Sequence, residues 1–391
     1  MDRATLDKNN NKMWFLQFAR GLACLLIVYV HWLTFLMAPA SLDTTIFQSV
    51  LPAYEAPAAL LAYAGAVNNI LPVDFREVYF GLALFFIISG FIIPVSLEKG
   101  TRANYVIRRI ARILPTAFAC TVVTALVIVL GRLIEGNSVA PFSVSNVLAN
   151  ALLIRDVVGH PYIDTAIWTL EIEVHFYLIC FVISFFSGQK KAGVILAMAF
   201  AFLLASIAFT YSEGPYEVYK RYLNVIATNG SFLVPMFIGM ALYNFNAGHW
   251  SVVKTALVVF LLLVMNNLTL QYHAGAVSNI IYINHLFAVL VFAVLLLLGD
   301  KVPYFKSLDK LADVSYPLYL LHGTCGYVVF YIVYKFLHEK TAAFVLSFAV
   351  IAVLTLLVHR TIERPSTPAG KRIAKWVDET DFFARFRRRN A

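Results

Sequence analysis

About ten stretches of this chain are long and apolar enough to cross a lipid bilayer, and that dictates a bundle of membrane-spanning helices. A span needs about 20 mostly apolar residues. The stretches lie near 14–37, 77–97, 114–134, 166–187, 192–211, 228–246, 251–269, 279–299, 314–336 and 341–359. Of the residues, 60% are hydrophobic and 14% are charged, against about 25% charged in soluble domains. Such a chain cannot cover itself with water-facing surface, so its main solvent is lipid. The fold class expected is all-α and polytopic. Residues 143–158 are apolar but short, and read as a re-entrant or interfacial helix. Residues 51–72, rich in Ala and Pro, read as an ordered outer loop.

The net charge of +9 does not point to nucleic acid, because the basic residues sit in short segments between apolar runs. Arg3, Lys8 and Lys12 precede the first run; Lys99, Arg102, Arg108, Arg109 and Arg112 follow the second; and a dense group runs from Arg360 to Arg389. Lys and Arg accumulate on the cytoplasmic side of membranes. The distribution predicts both termini in the cytoplasm, an even number of crossings, and a basic tail along the inner membrane surface. The first run is too long for a signal-peptide core and no cleavage site follows it, so it is expected to remain as helix 1. Cys24, Cys120, Cys180 and Cys325 lie in or beside apolar runs without a CxxC pair, and read as packing residues.

Ionisable groups inside a bilayer cost about 2.5–3.5 kcal/mol each for Arg, Lys or Asp, so they mark candidate functional positions. Arg20 and His31 stand eleven positions apart in the first run. That is close to three helical turns, so they share a face about 16 Å apart along the axis. A snorkelling arginine and a packed histidine is the competing reading. WTLEIEVHFYL, Trp168 to Leu178, carries Glu171, Glu173 and His175 into an apolar span. Trp168, Glu171 and His175 share one helical stripe, and Thr169, Glu173 and Tyr177 another. A structural i,i+4 pair at the interface is a plausible reading of Glu171 with His175, and fits Glu173, which lies deeper, less well. TRANYVIRRIARILP brings Arg109 and Arg112 to i,i+3, a spacing that lets two guanidinium groups clamp one phosphate, although a topology signal needs the same residues. Pro115 suits the first turn of a new helix there. In DVSYPLYLLHG, Ser315, Tyr319 and His322 form one polar stripe, for which aromatic packing is the rival account.

Taken together, these segments resemble the acyltransferase 3 family of membrane acyltransferases. Arg20 and His31 match its Arg-x10-His; GLALFFIISGF, Gly81 to Phe91, is similar to its G-V-D-L-F-F-x-x-S-G-F; Arg109 and Arg112 match Arg-x-x-Arg. Trp168, Leu170, Glu173, Phe176 and Tyr177 match W-S-L-x-x-E-x-x-F-Y; SYPLYLLH matches S-Y-x-L-Y-L-x-H; Glu363-Arg364-Pro365 resembles the closing E-x-P. Ala83 replaces the usual Asp, so no role for that carboxylate carries over, and Thr169 replaces the Ser of W-S-L while keeping a hydroxyl. Glu171 occupies a position that is commonly small or neutral. The family module is expected to cover 1–364, followed by a basic tail, 365–391, and no extracytoplasmic hydrolase-like domain.

The resemblance implies an enzyme of the inner (plasma) membrane. It would move an acyl group, most often acetyl, from cytoplasmic acetyl-CoA or another acyl-CoA to a glycan or lipid-linked sugar of the cell envelope or a secreted polysaccharide. It implies His31, Glu173 and Arg20 as catalytic residues. Arg20, Arg109, Arg112 and Ser89 would bind the donor, and Trp168, Tyr177, Tyr316 and His322 the acceptor. It implies membrane lipid as a partner, no nucleic acid and no metal. His31 would act either as a base or as a transient acyl carrier, and Glu173 would orient His31 or engage the acceptor. Loops 39–76 and 211–226, with Asp43, Glu55, Asp74, Arg76, Glu213 and Glu217, are expected to help select the acceptor. A secondary transporter using Arg20, His31 and Glu173 is the alternative, though no repeat of the kind transporters show is visible. A non-catalytic scaffold fits the buried ionisable groups least.

Overall fold

The computed structural model describes residues 13–37, 62–63, 65–66, 75–98, 100–137, 140–212 and 217–379. Among the described residues there is no strand. Nine helices are long and apolar enough to cross a membrane, or ten if one bent pair is a single span. The expected all-α, polytopic architecture of about ten spans is therefore present. The Ala/Pro-rich segment 51–72 falls almost wholly outside the described residues, as do Asp43, Glu55, Asp74, Glu213 and most of the basic end of the tail.

In chain order the helices are α1 (Trp14–Met37), α2 (Glu77–Glu98), α3 (Arg102–Ile134), α4 (Val144–Ala151) and α5 (Arg155–Val158). Next come α6 (Ile167–Ile183), α7 (Ala192–Thr210), α8 (Glu217–Asn246), α9 (Val252–His273) and α10 (Ser278–Leu298). The last four are α11 (Lys306–Leu321), α12 (Thr324–Leu337), α13 (Lys340–Val358) and α14 (Arg364–Glu379), with a π-helical turn, His359–Glu363, between α13 and α14. The chain divides into two compact units. One takes α1 as far as Val30, α2 as far as Pro94, and Phe185–Ser315. The other takes α1 from His31, Val95–Ser184, and everything from Tyr316 onward.

The first unit is built around α8, where Leu233, Val234, Met236, Phe237, Ile238, Met240 and Ala241 are fully buried. Lipid is as apolar as leucine, so burial alone does not drive helices together in a membrane, and small residues that let backbones touch take over that task. Gly90 of α2 and Gly239 of α8 do this reciprocally. A Cβ on Gly90 would sit 1.9 Å from the Met236 carbonyl oxygen, and one on Gly239 would sit 2.1 Å from that of Ile87. Phe91, next to Gly90, packs on Phe15 and Phe292 with centroids 5.8 and 5.5 Å away. The S-G-F segment thus has a packing role at two of its three positions. Polar glue joins α8, α9 and α10: Asn266 Nδ2 donates to the Ser231 carbonyl at 3.0 Å, and Asn266 Oδ1 lies 2.9 Å from His285 Nδ1.

In the second unit the structure corrects two sequence expectations. Pro115 does not open a helix; it lies inside α3, which runs unbroken from Arg102. The N-cap is Thr101, whose hydroxyl accepts the Asn104 N–H at 3.2 Å. An interior proline costs about 3 kcal/mol, and neighbours hold the part of the helix that precedes it. Tyr316 donates to the Ile113 carbonyl at 2.9 Å, and Arg112 pairs with Glu363. Asp378 of α14 accepts from Thr101 and Asn104 at 2.7 and 2.8 Å. The single span expected at 314–336 is instead two helices, α11 and α12, bent by 71° at the His322–Gly323 junction. The 143–158 segment forms the short helices α4 and α5. A core of Ala125, Ile128, Ile163, Val328, Phe330, Tyr331 and Ala343 holds α3, α12 and α13 together.

Candidate functional site

The polar residues of the second unit meet in three places, and the first is a histidine pair. His31 of α1 and His322 at the end of α11 bring Nδ1 and Nε2 to 2.7 Å. Their ring planes differ by 14° and the centroids are 5.0 Å apart, which is the geometry of an edge-to-edge hydrogen bond between nearly coplanar rings. The direction of that bond follows from the other nitrogen of His322. Its Nδ1 lies 2.7 Å from the Tyr319 carbonyl oxygen and 3.2 Å from that of Leu318. Carbonyl oxygens only accept, so Nδ1 of His322 carries the proton and its Nε2 is an acceptor. His31 therefore donates through Nδ1, and its Nε2 keeps the lone pair. His322 is fully buried whereas His31 is partly accessible, so the exposed end of the relay is the basic nitrogen. The same elbow holds Tyr319, whose hydroxyl shares a hydrogen bond of 2.9 Å with Thr169 of α6.

The second place joins α3 to α6. Arg109 donates to Ser96 Oγ at 3.1 Å, and its guanidinium lies 5.6 Å from the centre of the Tyr177 ring. The Tyr177 hydroxyl in turn donates to Glu173, so Arg109, Tyr177 and Glu173 form one line, with Tyr105 donating to the Tyr177 carbonyl at 3.2 Å. The buried Nε of Arg109 has no hydrogen-bond partner among the described residues. Arg112, one turn on, pairs instead with Glu363 at 3.5 Å, and Glu363 also meets His359 at 2.7 Å. The two arginines are thus held by different partners. The E-R-P segment supplies the carboxylate for Arg112 across more than half the chain, a meeting that no sequence spacing signals.

The third place corrects the reading of Glu171 and His175 as a local pair. Glu171, almost fully buried, accepts three hydrogen bonds from Arg155: Nε at 3.0 and 3.2 Å, and Nη2 at 2.6 Å. Its other contact is the Asp156 N–H at 3.2 Å. The same guanidinium lies 3.6 Å from the centre of the Tyr162 ring. His175 faces Asp156 at 3.8 Å. Glu171 thus anchors the segment before α6. No sequence spacing signals this pair, because Arg155 and Glu171 lie on different helices.

Four candidates remain. Tyr316 spends its hydroxyl on the Ile113 carbonyl, and Trp168 is half-buried at the start of α6. Arg20 and Ser89 belong to the first unit. Arg20 lies 3.5 Å from Gln17 Oε1, while Gln17 Nε2 reaches Asp313 at 3.0 Å. Ser89 is half-buried beside Gly90. Among the described residues no group of His, Cys, Asp and Glu is arranged to hold a metal ion. The model of an acyltransferase domain, that of the acyltransferase 3 family, matches residues 13–360. No curated protein and no solved structure matches the chain.

Proposed function

The chain belongs to the acyltransferase 3 family and is a multi-pass membrane acyltransferase; from that premise we propose that it moves an acetyl group from cytoplasmic acetyl-CoA to a hydroxyl of an envelope or secreted carbohydrate. The observation that carries the mechanism is the His31–His322 pair. His31 Nε2 takes the proton of the acceptor hydroxyl as its oxygen attacks the thioester carbonyl carbon. The C–S bond breaks, and the coenzyme thiolate recovers the proton from His31, leaving an ester and a free thiol. His322 holds the His31 ring in the tautomer that this step needs, and partly offsets the positive charge that the ring gains in the transition state. General-base catalysis of this kind contributes about 10²–10⁴-fold.

Arg109 suits a phosphate of the donor through charge-assisted donors, and its buried Nε, without a hydrogen-bond partner among the described residues, supports that assignment; Arg112, paired with Glu363, is assigned to the donor on the family resemblance. On the family resemblance alone, Arg20 and Ser89 are assigned to donor binding, Trp168, Tyr177, Tyr316 and His322 to acceptor binding, and Glu173 and Arg20 to catalysis. The localisation proposed is the plasma membrane with both termini in the cytoplasm.

The test is reconstitution into vesicles with radiolabelled acetyl-CoA and carbohydrate purified from the cell that makes the protein. Label should appear as an alkali-labile ester on the carbohydrate. His31→Ala should abolish it at unchanged protein level. Normal transfer by a well-folded H31A protein would overturn the proposal, and uptake of labelled sugar without ester formation would identify a transporter.

A further inference from the structure

The start of α3 meets its neighbours on two faces. Toward α6 and the end of α2 it uses Arg102, which donates to Ser184 Oγ at 3.2 Å, together with Tyr105 and Arg109. Toward α14 it uses Thr101 and Asn104, which donate to Asp378. Ala111 belongs to the same seam, since a Cβ placed on Gly370 would sit 2.3 Å from its own Cβ. Asn104, Arg108 and Arg112 stand four residues apart in this stretch, so they rise one above the other along α3.

The two carboxylates that α3 meets here are taken. Asp378 accepts from Thr101 and Asn104, and Glu363 pairs with Arg112 and His359. Arg108 stands between them along the helix, one turn from Asn104 and one turn from Arg112. Among the described residues it makes no hydrogen bond, ion pair or ring contact. Its Nε is closed off without an acceptor, and so is the Nε of the adjacent Arg109. The contacts that Arg109 does make, with Ser96 and the Tyr177 ring, are to neutral groups. Two half-buried guanidinium groups thus sit side by side, and among the described residues neither has a carboxylate. Like charges so placed repel, and a buried donor left unmet is costly. An anion received between them removes both penalties.

We propose that Arg108 is a donor-binding residue, and that Arg108 and Arg109 together hold a phosphate of the donor nucleotide. The inference rests on the reading of acyl-CoA as the donor and refines it, since Arg112 is turned to Glu363 and leaves the second place of a clamp open. Successive helical residues turn by about 100°, so two long side chains from adjacent positions grip one phosphate from two sides. Each presents a planar fork of N–H donors to it. A neutral group gains little there, so the site selects an anion. The thioester end of the donor carries no charge and does not depend on it.

The test is donor affinity, read with and without the nucleotide. Calorimetry on the purified full-length protein should show CoA bound about tenfold or more weakly by Arg108→Gln than by wild type. In the vesicle assay the acetyl-CoA KM should rise by a similar factor while kcat holds. Acetyl-pantetheine, which carries the same thioester but no phosphate, should serve both proteins equally well. Lys371→Gln, which removes an exposed charge from α14, should leave CoA binding as it is. Wild-type CoA affinity in R108Q overturns the inference, and so does a loss that acetyl-pantetheine shares, which would mean damage to the fold. If R108Q is not recovered as monodisperse protein, Arg108→Lys decides, because it keeps the charge but loses the fork. Weaker CoA binding by R108K with acetyl-pantetheine use intact supports the clamp, and unchanged binding refutes it. Protein that binds CoA through Arg108 but transfers no label keeps the inference and overturns only the proposed transfer. Wild-type protein that binds no CoA overturns both.

Discussion

A single proton decides what the histidine pair does. His31 and His322 are chemically alike, but only His322 has a nitrogen aimed at two backbone carbonyls, and that asymmetry makes His31 the base. His322→Ala should therefore lower transfer by about 10²-fold or more while leaving the donor KM unchanged, with little further loss in the His31→Ala background. Steady-state kinetics of the single and double variants check this. Elsewhere, the Arg155–Glu171 pair gives a stability prediction. Both side chains are largely buried and the bond is bidentate, so Arg155→Met leaves a carboxylate stranded at a cost of about 3–5 kcal/mol. Arg155→Met with Glu171→Leu should recover most of it, and thermal unfolding in one detergent measures both. That His31, Glu171 and His322 stand in apolar runs was legible from the sequence. Their pairings were not, because helical periodicity relates residues on one helix only and each pair links different helices.

Between elements, the controlling quantity is how closely backbones approach. At the α2–α8 crossing a methyl group on Gly90 would overlap a carbonyl oxygen, and the obstacle is main chain that cannot rotate away. Gly90→Ala should cost at least the upper end of the about 1–3 kcal/mol typical of overpacking. Gly239→Ala, at the same crossing, should not add to it in full. The yield of monodisperse protein after solubilisation reads this out. The segment between α5 and α6 gives a pH prediction. Its Asp164 is raised by burial from 3.8 to about 7, so the folded protein binds a proton there that the unfolded chain has lost. Its contribution to stability is fully present below about pH 4, declines as pH rises toward 7, and is level above that. Asp164→Asn should flatten that part of the unfolding profile, measured between pH 4 and 8. Glycine and carboxylate alike are ordinary letters in the sequence. Only the crossing and the burial give them these effects.

For the whole molecule, the count of crossings decides topology. Among the described residues nine helices qualify singly, and α11 with α12 makes a tenth if the bent pair crosses once. Ten crossings put both ends on one side, as the distribution of Lys and Arg proposes. Single cysteines introduced near Lys8 and Arg388 should then react alike with an impermeant reagent in sealed vesicles. Opposite reactivity would mean that the elbow turns back instead of crossing.

Membership of the lipid-embedded, all-helical class was written in the order of residues, because hydrocarbon admits apolar side chains and self-satisfied backbone over lengths that can be counted along a chain. So were the six short motifs that point to acyl transfer. The bend at His322, the splitting of Arg109 from Arg112, the capture of Glu363 by Arg112 and the burial of Asp164 were settled only in three dimensions. Each depends on distances between residues far apart in the chain, and hydrogen bonds reach no farther than about 3.5 Å, whatever the spacing along the backbone.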